Sequence, residues 1–362
     1  MMKHVILVRS SAFKTQRVSR QARYLLNEGY KVTIVSWNRH SSSKAEQKTR
    51  NTLENLGAKI VCFDYAHEYG KGIFGIYSRI KWVRFVASFI NNQFCDFVCF
   101  VDLDSMIASF LIKRIKRTPV FIADFADFIE EYPIKYASIV RPIIDILNKI
   151  IFNSFEYILV PNEQRLKCYM RDHDKVKIIN NAPDIGLDIK SSRNGAILYC
   201  GTLGPDRGIG LICDAIDQSC NLKFRVAGWG PFERELLQRD GSQLTYLNHI
   251  DYNKVLLETA ECDFVYCVYD PSISVNKFSD PNKFYEAIYF GKPLIVARGT
   301  GIDLIVEEEK IGIVIDYNSK SLVESVESVS QLDYETFVNN INLCKKRFSS
   351  ALNNEKLKEI YT

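Results

Sequence analysis

Short apolar runs alternate with amphipathic stretches along both halves of the chain. Runs bounded by polar or glycine-containing segments predict strands at 4–8, 32–36, 59–63, 96–101, 120–123, 157–160, 176–179, 196–200, 294–297 and 312–315, and one that starts at 224. Segments with helical periodicity separate most of these runs. Such alternation is typical of parallel sheets that helices cover on both faces. The pattern therefore predicts the α/β class, with doubly wound, Rossmann-like sheets.

This rhythm is interrupted once, near the middle of the chain. Residues 185–194 are polar and loop-like, as expected of a linker between domains. The length of 362 residues also exceeds what one ordinary hydrophobic core accommodates. We therefore predict an N-terminal domain at 1–187, a C-terminal domain at 193–333 and a final helical segment at 334–362.

Composition excludes several classes of protein. Hydrophobic residues make up 47% and charged residues 25% of the chain, which is typical of a globular protein. The net charge of +4 is too small to indicate a nucleic-acid partner. The ten cysteines are scattered without a C-x-x-C pair, which favours reduced core residues. No apolar run is long enough for a signal peptide or a membrane span, so a cytoplasmic location is expected.

The stretch at 279–297 carries a short helix followed by a strand. We expect Asp280 to cap a helix that begins at Pro281 and ends at Gly291. Lys283 and Glu286 then lie one turn apart on neighbouring positions of this helix. An ammonium near a helix N-terminus suits a phosphate, and a carboxylate one turn later suits sugar hydroxyls. A solvated Lys–Glu pair on a surface helix is the alternative interpretation.

Two glycine-rich turns follow strands of the second half. The first contains Gly201, Gly204 and Arg207, and the second contains Gly228 and Gly230. Glycine lets the backbone approach a ligand closely, and the helix N-terminus after the first turn attracts a diphosphate. Arginine adds a permanently charged, forked donor at the same place.

Acidic residues follow two strands of the first half. Asp102 and Asp104 form a D-x-D, which we interpret as a cap of the next helix rather than as a metal site. Asp124 and Asp127 follow the strand at 120–123, on the edge of the sheet where ligands bind. For Asp127 a helix cap is again the alternative.

Four segments, at 17–32, 180–183, 199–208 and 279–296, carry in this order motifs that resemble the family-4, GT-B-fold retaining glycosyltransferases (glycosyl transferases group 1). The third reads Y-C-G-x-L-x-x-x-R-G, and the last contains P-N-K-x-x-E and G-K-P. The resemblance implies two doubly wound Rossmann-like domains that face each other across a cleft. It also implies that the segment at 334–362 crosses back to the first domain.

The same resemblance implies a reaction in which a sugar passes from a nucleoside-diphosphate-sugar to an acceptor hydroxyl, with retention and without a metal ion or cofactor. Glu286 would hold the ribose, and Arg207 and Lys283 would stabilise the departing diphosphate. Asp127 would be a further catalytic contact. The other donor-binding residues implied are Gly201, Thr202, Gly204, Gly228, Gly230 and Asn282. The acceptor would be a glycan or a lipid-linked sugar, in surface polysaccharide, lipopolysaccharide or glycoconjugate synthesis.

Three positions depart from the family pattern. Phe278 stands where the family carries a carboxylate, Thr202 where it often carries arginine, and Ala126 where it carries histidine or arginine. These departures leave open a non-catalytic nucleotide-binding subunit. A nucleotide-sugar epimerase on the same scaffold is the other alternative.

Two segments, at 71–90 and 133–152, combine aromatic and basic residues. Helices buried against a sheet, with long cations reaching outward, would show this pattern. So would a surface that contacts lipid headgroups. The second interpretation predicts peripheral binding to the cytosolic face of the membrane.

Overall fold

The computed structural model describes residues 2–13, 16–38, 44–65, 72–112, 119–125, 146, 149–150, 152–168, 174–186 and 189–362. Contacts divide the chain into two compact units, Met1–Ile179 with Asn354–Thr362, and Asn180–Asn353. The domain limits of 1–187, 193–333 and 334–362 stay a prediction. Within the described ranges, no helix is long and apolar enough to cross a membrane.

The first unit is built on a parallel sheet of seven strands in the order β3-β2-β1-β4-β5-β6-β7. Its strands are β1 His4–Arg9, β2 Lys31–Asn38, β3 Lys59–Asp64, β4 Phe97–Val101, β5 Val120–Asp124, β6 Tyr157–Val160 and β7 Val176–Ile178. Val5 and Leu7 of β1 lie in one hydrophobic core, and Ile6 and Val8 lie in another. The continuous apolar runs are therefore explained by burial on both faces.

Helices connect or cover these strands. The described ones are α1 Gln16–Asn27, α2 Lys44–Asn55, α3 Gly72–Asn91, α4 Leu103–Met106 and α5 Glu163–Cys168. The end of the chain also belongs to this unit, where Leu357, Ile360 and Tyr361 enter the core beside β1. The Gln21 side chain donates a hydrogen bond of 2.8 Å to the buried Tyr361 hydroxyl.

The second unit is built on a parallel sheet of six strands in the order β10-β9-β8-β11-β12-β13. Its strands are β8 Ile197–Thr202, β9 Phe224–Trp229, β10 Leu244–Tyr246, β11 Phe264–Cys267, β12 Leu294–Ala297 and β13 Gly312–Ile315. The helices are α6 Ile209–Gln218, α7 Glu233–Arg239, α8 Tyr252–Glu261, α9 Asn282–Phe290, α10 Ile302–Glu309, α11 Ser319–Glu327, α12 Gln331–Cys344 and α13 Ser350–Tyr361, of which α13 ends in the first unit. The α/β class predicted from the sequence is confirmed.

The start of α9 differs from the expectation. Pro281 occupies the N-cap position and Asn282 is the first helical residue, so the prediction that Asp280 caps this helix is wrong. The Asp280 carboxylate instead accepts hydrogen bonds from the Asn181 amide at 2.7 Å and from the Tyr285 hydroxyl at 2.6 Å. Asp280 therefore connects the 180–183 segment to α9 through hydrogen bonds.

The last helical segment is also interrupted, between α12 and α13. A 3-10 turn covers Lys345–Phe348, and Ser349 is extended, with φ −92° and ψ 154°. Phe348 is buried, and its ring lies 5.4 Å from that of Phe284. The Ser349 hydroxyl accepts a hydrogen bond from Leu352 N at the start of α13.

The described cysteines are free thiols, and most are buried in the cores as predicted. Cys220 is an exception because it is exposed.

Candidate functional site

Two glycine turns lie side by side at the carboxyl edge of the second sheet. Gly201 at the end of β8 pairs in register with Gly228 of β9, and Thr202 pairs with Trp229. The φ angles are 155° at Gly201 and 150° at Gly228. A Cβ atom at Gly228 would lie 1.8 Å from the Gly201 carbonyl oxygen. Glycine is therefore required here by backbone proximity as well as by conformation.

The first turn continues into the N-terminus of α6. A Cβ atom at Gly204 would lie 2.7 Å from Asp206 Oδ1, and one at Gly230 would lie 2.8 Å from the Leu203 carbonyl oxygen. Gly208 precedes α6 in a left-handed conformation, and its carbonyl accepts a 3.0 Å hydrogen bond from the buried Tyr266 hydroxyl. The turn is thus packed tightly against the sheet.

Lys283 lies against this turn. Its Nζ is 3.8 Å from the ring centroid of Tyr199 and 3.5 Å from the position that a Cβ atom at Gly201 would take. The side chain is partly buried among aromatic groups. Burial, to which the positive charge of Arg207 adds, lowers the pKa of the Lys283 ammonium to about 8. An anion bound here would raise the pKa of Lys283 again and so favour its charged form.

Arg207 approaches the same place from the first glycine turn. Its guanidinium carbon lies 4.7 Å from the ring centroid of Tyr269, and Lys283 Nζ lies 5.5 Å from that centroid. Arg207 Nε is also 3.2 Å from Asp206 Oδ2. Two cations therefore converge on one tyrosine ring, an arrangement that suits an anion with two phosphate groups.

Glu286 lies one turn after Lys283 on α9. It is only 5% exposed, so the alternative of a solvated pair on a surface helix is wrong. Its Oε1 accepts a 3.0 Å hydrogen bond from the Tyr252 hydroxyl at the start of α8. Burial is the main cause that raises the pKa of the Cys200 thiol in β8. The positive charge of Lys283 lowers this pKa and the negative charge of Glu286 raises it, so both charges act on the end of β8.

The residues predicted from the motifs occupy one edge of the second sheet. Thr202 and Asn282 are exposed there, beside the glycines and the two cations. The roles of all these residues stay a prediction. Asp127 lies outside the described residues, as does most of the segment at 133–152. Among the residues that the structure describes, no three His, Cys, Asp or Glu side chains lie close enough together to hold a metal ion.

Sequence reasoning missed the aromatic residues of the site. Tyr199 and Tyr269 lie beneath the cations, Tyr252 contacts Glu286, and Trp229 is 59% exposed between Gly228 and Gly230. Tyr199 belongs to a recognised motif and could have been found. Tyr252 is separated from Glu286 by 34 residues, and no local pattern relates the two.

A family model described as "Glycosyl transferases group 1" matches residues 194–331, which confirms the resemblance over that part of the chain. No curated protein matches the chain.

Solved structures with a similar fold cover nearly all of the chain. Sucrose-phosphate synthase from Thermosynechococcus elongatus has a TM-score of 0.74 at 12% identity, over 99% of this chain and 98% of that one. Anabaena Alr3699/HepE in complex with UDP and glucose has a TM-score of 0.66 at 15% identity, over 99% of each chain. A UDP-N-acetylglucosamine 2-epimerase has a TM-score of 0.60 at 11% identity, over 94% of this chain and 91% of that one. These likenesses show the GT-B fold.

Proposed function

We propose that this chain, which belongs to the glycosyl transferases group 1 family over residues 194–331, transfers a sugar from a nucleoside-diphosphate-sugar to a hydroxyl group. The observation that carries the proposal is the placement of Lys283 Nζ beside Gly201, with Arg207 converging on the same tyrosine and Glu286 one turn further on. Cations next to an open backbone suit a diphosphate, and a buried carboxylate suits the ribose hydroxyls.

The chemistry follows from charge. When the bond to the sugar breaks, negative charge develops on the diphosphate, and Arg207 and Lys283 stabilise it. Two fixed cations supply what a divalent metal supplies in other sites, so we propose that the reaction needs no metal ion or cofactor. We also propose retention at the anomeric carbon, in line with the family motifs.

The first donor to test is a UDP-sugar. Structures with the same fold were solved with UDP and glucose and with UDP-glucose, in both cases for Anabaena Alr3699/HepE. In this chain, the exposed Trp229 ring on a turn between two glycines is suited to stack on a base.

We further propose a glycan or lipid-linked acceptor and peripheral contact with the cytosolic membrane face, in polysaccharide or lipopolysaccharide synthesis. On α3, Trp82, Val83 and Val86 are buried, whereas Ile76 and Tyr77 are each 58% exposed. The exposed side of α3 also carries Ile80, Arg79 and Arg84, so apolar and basic groups share it. Such a surface fits anionic headgroups.

Flotation tests this contact. Vesicles with phosphatidylglycerol should carry the protein upward, and Arg79→Glu with Arg84→Glu should remain at the bottom. Equal behaviour of the variant and the wild type would contradict the membrane contact.

A thermal-shift screen with UDP, GDP, ADP and CMP in the absence of metal tests the donor site. A ligand that binds only the folded state raises the melting temperature by mass action. We expect a shift with one nucleoside diphosphate that is lost in Glu286→Ala and kept in Glu307→Ala, whose carboxylate is 55% exposed on α10. No shift with any nucleotide in the wild type would contradict the proposal.

Product analysis then separates the reactions that this fold supports. Sugar transfer releases the nucleoside diphosphate and extends the acceptor, whereas an epimerase isomerises the nucleotide-sugar. The epimerase is the second candidate because one solved structure of similar fold is a UDP-N-acetylglucosamine 2-epimerase. Binding without any turnover would identify a non-catalytic subunit.

A further inference from the structure

Two aspartates that precede helices do not cap them. Asp102 occupies the N-cap position of α4, but its side chain makes no capping hydrogen bond, so the interpretation of this residue as a helix cap is wrong. Its φ of 67° and ψ of 153° lie in a region that is populated almost only by glycine, so the backbone is strained there. Asp280 precedes α9, where Pro281 takes the N-cap position and has no side-chain acceptor. A capping side chain therefore does not set the start of α9.

The Asp280 carboxylate connects the start of α9 to two other groups. Its Oδ1 accepts a 2.6 Å hydrogen bond from the hydroxyl of Tyr285, which lies on α9 itself. Tyr285 is only 3% exposed, and its ring lies 5.1 Å from that of Phe284 and 6.2 Å from that of Phe348. Asn181 Nδ2 donates to Asp280 Oδ2 at 2.7 Å and to the Asp280 carbonyl at 2.9 Å. Asp280 thus fixes the chain that enters α9 to the buried side of the helix and to the 180–183 segment.

The residues on both sides of Asn181 are themselves held in place. Asn180 and Asn353 are 7% and 6% exposed. Asn353 Nδ2 donates to the Asn180 carbonyl at 3.0 Å and to Asn180 Oδ1 at 2.9 Å, and Asn180 N donates to Asn353 Oδ1 at 3.1 Å. Asn180 Oδ1 also accepts a 3.0 Å hydrogen bond from Ala182 N. An ordered backbone therefore presents the Asn181 amide to Asp280.

Lys283 depends on where α9 begins. It lies three residues after Asp280, in the first turn of the helix, and its Nζ is 3.5 Å from the position that a Cβ atom at Gly201 would take. A shift of this first turn would move the ammonium relative to the glycine turn. Misplacement of a binding group by about 1 Å is enough to weaken the interaction that it makes.

We propose that Asp280 is a positioning residue of the donor site. Anchored by Asn181 and Tyr285, it sets the first turn of α9 and so places the Lys283 ammonium beside Gly201. This assignment rests on the proposed function, because Lys283 is the lysine assigned there to the diphosphate of the donor.

The first experiment follows the Lys283 ammonium in the unliganded protein by NMR, with lysine labelled at Cε and the signal assigned by its absence in Lys283→Met. Burial is the main cause that lowers the pKa of Lys283 to about 8, so this pKa reports how closely the ammonium is packed. In Asp280→Ala, loss of a negative charge alone would lower the pKa, whereas loss of position would hydrate the ammonium and raise it. We expect a rise of about half a pH unit or more.

Two further variants make this result specific. Asn181→Ala leaves the charges unchanged, so a rise of the Lys283 pKa in this variant comes from position alone. Ser330→Ala is the control, because it removes the capping box of α12 and so lowers stability without touching α9. We expect the Lys283 pKa to rise in Asn181→Ala and to keep its wild-type value in Ser330→Ala. A pKa that falls or stays the same in Asp280→Ala would overturn the assignment.

The second experiment measures UDP affinity by titration calorimetry. We expect Asp280→Ala and Asn181→Ala each to bind UDP roughly tenfold more weakly, and Ser330→Ala to bind it like the wild type. The double variant should bind no more weakly than Asp280→Ala, because both residues act through one contact. Additive losses would show that the two residues act separately and would overturn the assignment. Absence of UDP binding by the wild type would count against the proposed function, whereas the NMR titration still decides the role of Asp280.

Discussion

The carboxyl edges of the two sheets carry different groups. In the second unit, the edge contains glycines that lie too close to neighbouring backbone for a Cβ atom to fit. Lys283 contacts the Tyr199 ring and Arg207 contacts the Tyr269 ring at this edge. In the first unit, the edge carries two charged pairs, the buried pair of Arg17 with Asp124 and the partly exposed pair of Arg9 with Asp102.

The second edge suits the diphosphate of the proposed donor. A diphosphate carries its own charge, so it suits backbone that it can approach with cations beside it. In the first unit, by contrast, both arginines are buried against a carboxylate. Substitutions that remove one of these features test the difference between the two edges.

The largest effect is expected from Asp124→Ala in the first edge. Arg17 Nε lies 2.8 Å from both Asp124 oxygens, and Arg17 and Asp124 are 6% and 1% exposed. Removing one partner leaves a buried charge, which costs about 3–5 kcal/mol of unfolding free energy. Hydrogen exchange of peptides that cover β5 measures this. The matched control is Asp316→Ala, which breaks an exposed pair with Arg298 and should change nothing measurable.

Gly228→Ala should disrupt the second edge nearly as strongly. The new Cβ would meet the Gly201 carbonyl oxygen, and the positive φ adds strain, so we expect a loss of about 3 kcal/mol or more. Gly291→Ala is the control, because Gly291 has a φ of 72° but nothing within 4 Å of a Cβ atom. It should cost only about 1–2 kcal/mol. Equal losses in denaturant unfolding would show that conformation alone, and not proximity, requires glycine at 228.

Lys283→Met should weaken UDP binding roughly 100-fold, because a charge-assisted hydrogen bond to phosphate is lost. In the wild type, affinity should begin to fall as the pH rises above about 8, where the free Lys283 ammonium loses its proton. Titration calorimetry across this range measures both effects. Lys320→Met, whose side chain is 80% exposed, should keep the wild-type affinity and pH profile.

Lys283 should make the free energy of unfolding rise with pH, whereas it makes the UDP affinity fall. Its pKa is lowered from 10.5 to about 8 in the folded protein, so between these pH values the unfolded chain binds the proton more strongly. The Lys283 contribution to the free energy of unfolding therefore rises with pH over that window. The difference between wild type and Lys283→Met in unliganded melting curves reports it. A difference that falls with pH would contradict the lowered pKa.

Tyr252→Phe should have the smallest effect. It removes one hydrogen bond to Glu286, which is worth about 1 kcal/mol and corresponds to roughly fivefold weaker UDP binding. Tyr30→Phe is the matched control because it also loses a hydroxyl hydrogen bond, to the Tyr361 carbonyl in the first unit. An identical UDP affinity in Tyr252→Phe and wild type would mean that Glu286 does not depend on this contact.

Sequence reasoning predicted the elements well where burial is complete. β6 and β12 have the predicted bounds of 157–160 and 294–297, because a strand buried on both faces is a continuous apolar run. The bounds of β13, at 312–315, are also as predicted, although this edge strand is only partly buried. β10 at Leu244–Tyr246 was missed, since a three-residue strand at the edge of a sheet leaves little pattern.

By itself, the sequence determined the alternation of strands and helices, the glycine turns and the positions of Lys283 and Glu286 on one helix, because each depends on residues close together in the chain. Only the tertiary structure decided that Tyr252 contacts Glu286, that Tyr199 lies beneath Lys283 and that Arg9 supports Asp102. These contacts join residues far apart in the chain, and packing selects among geometries that local propensity leaves open. The strain at Asp102 is the clearest case, since local preference alone would place glycine there.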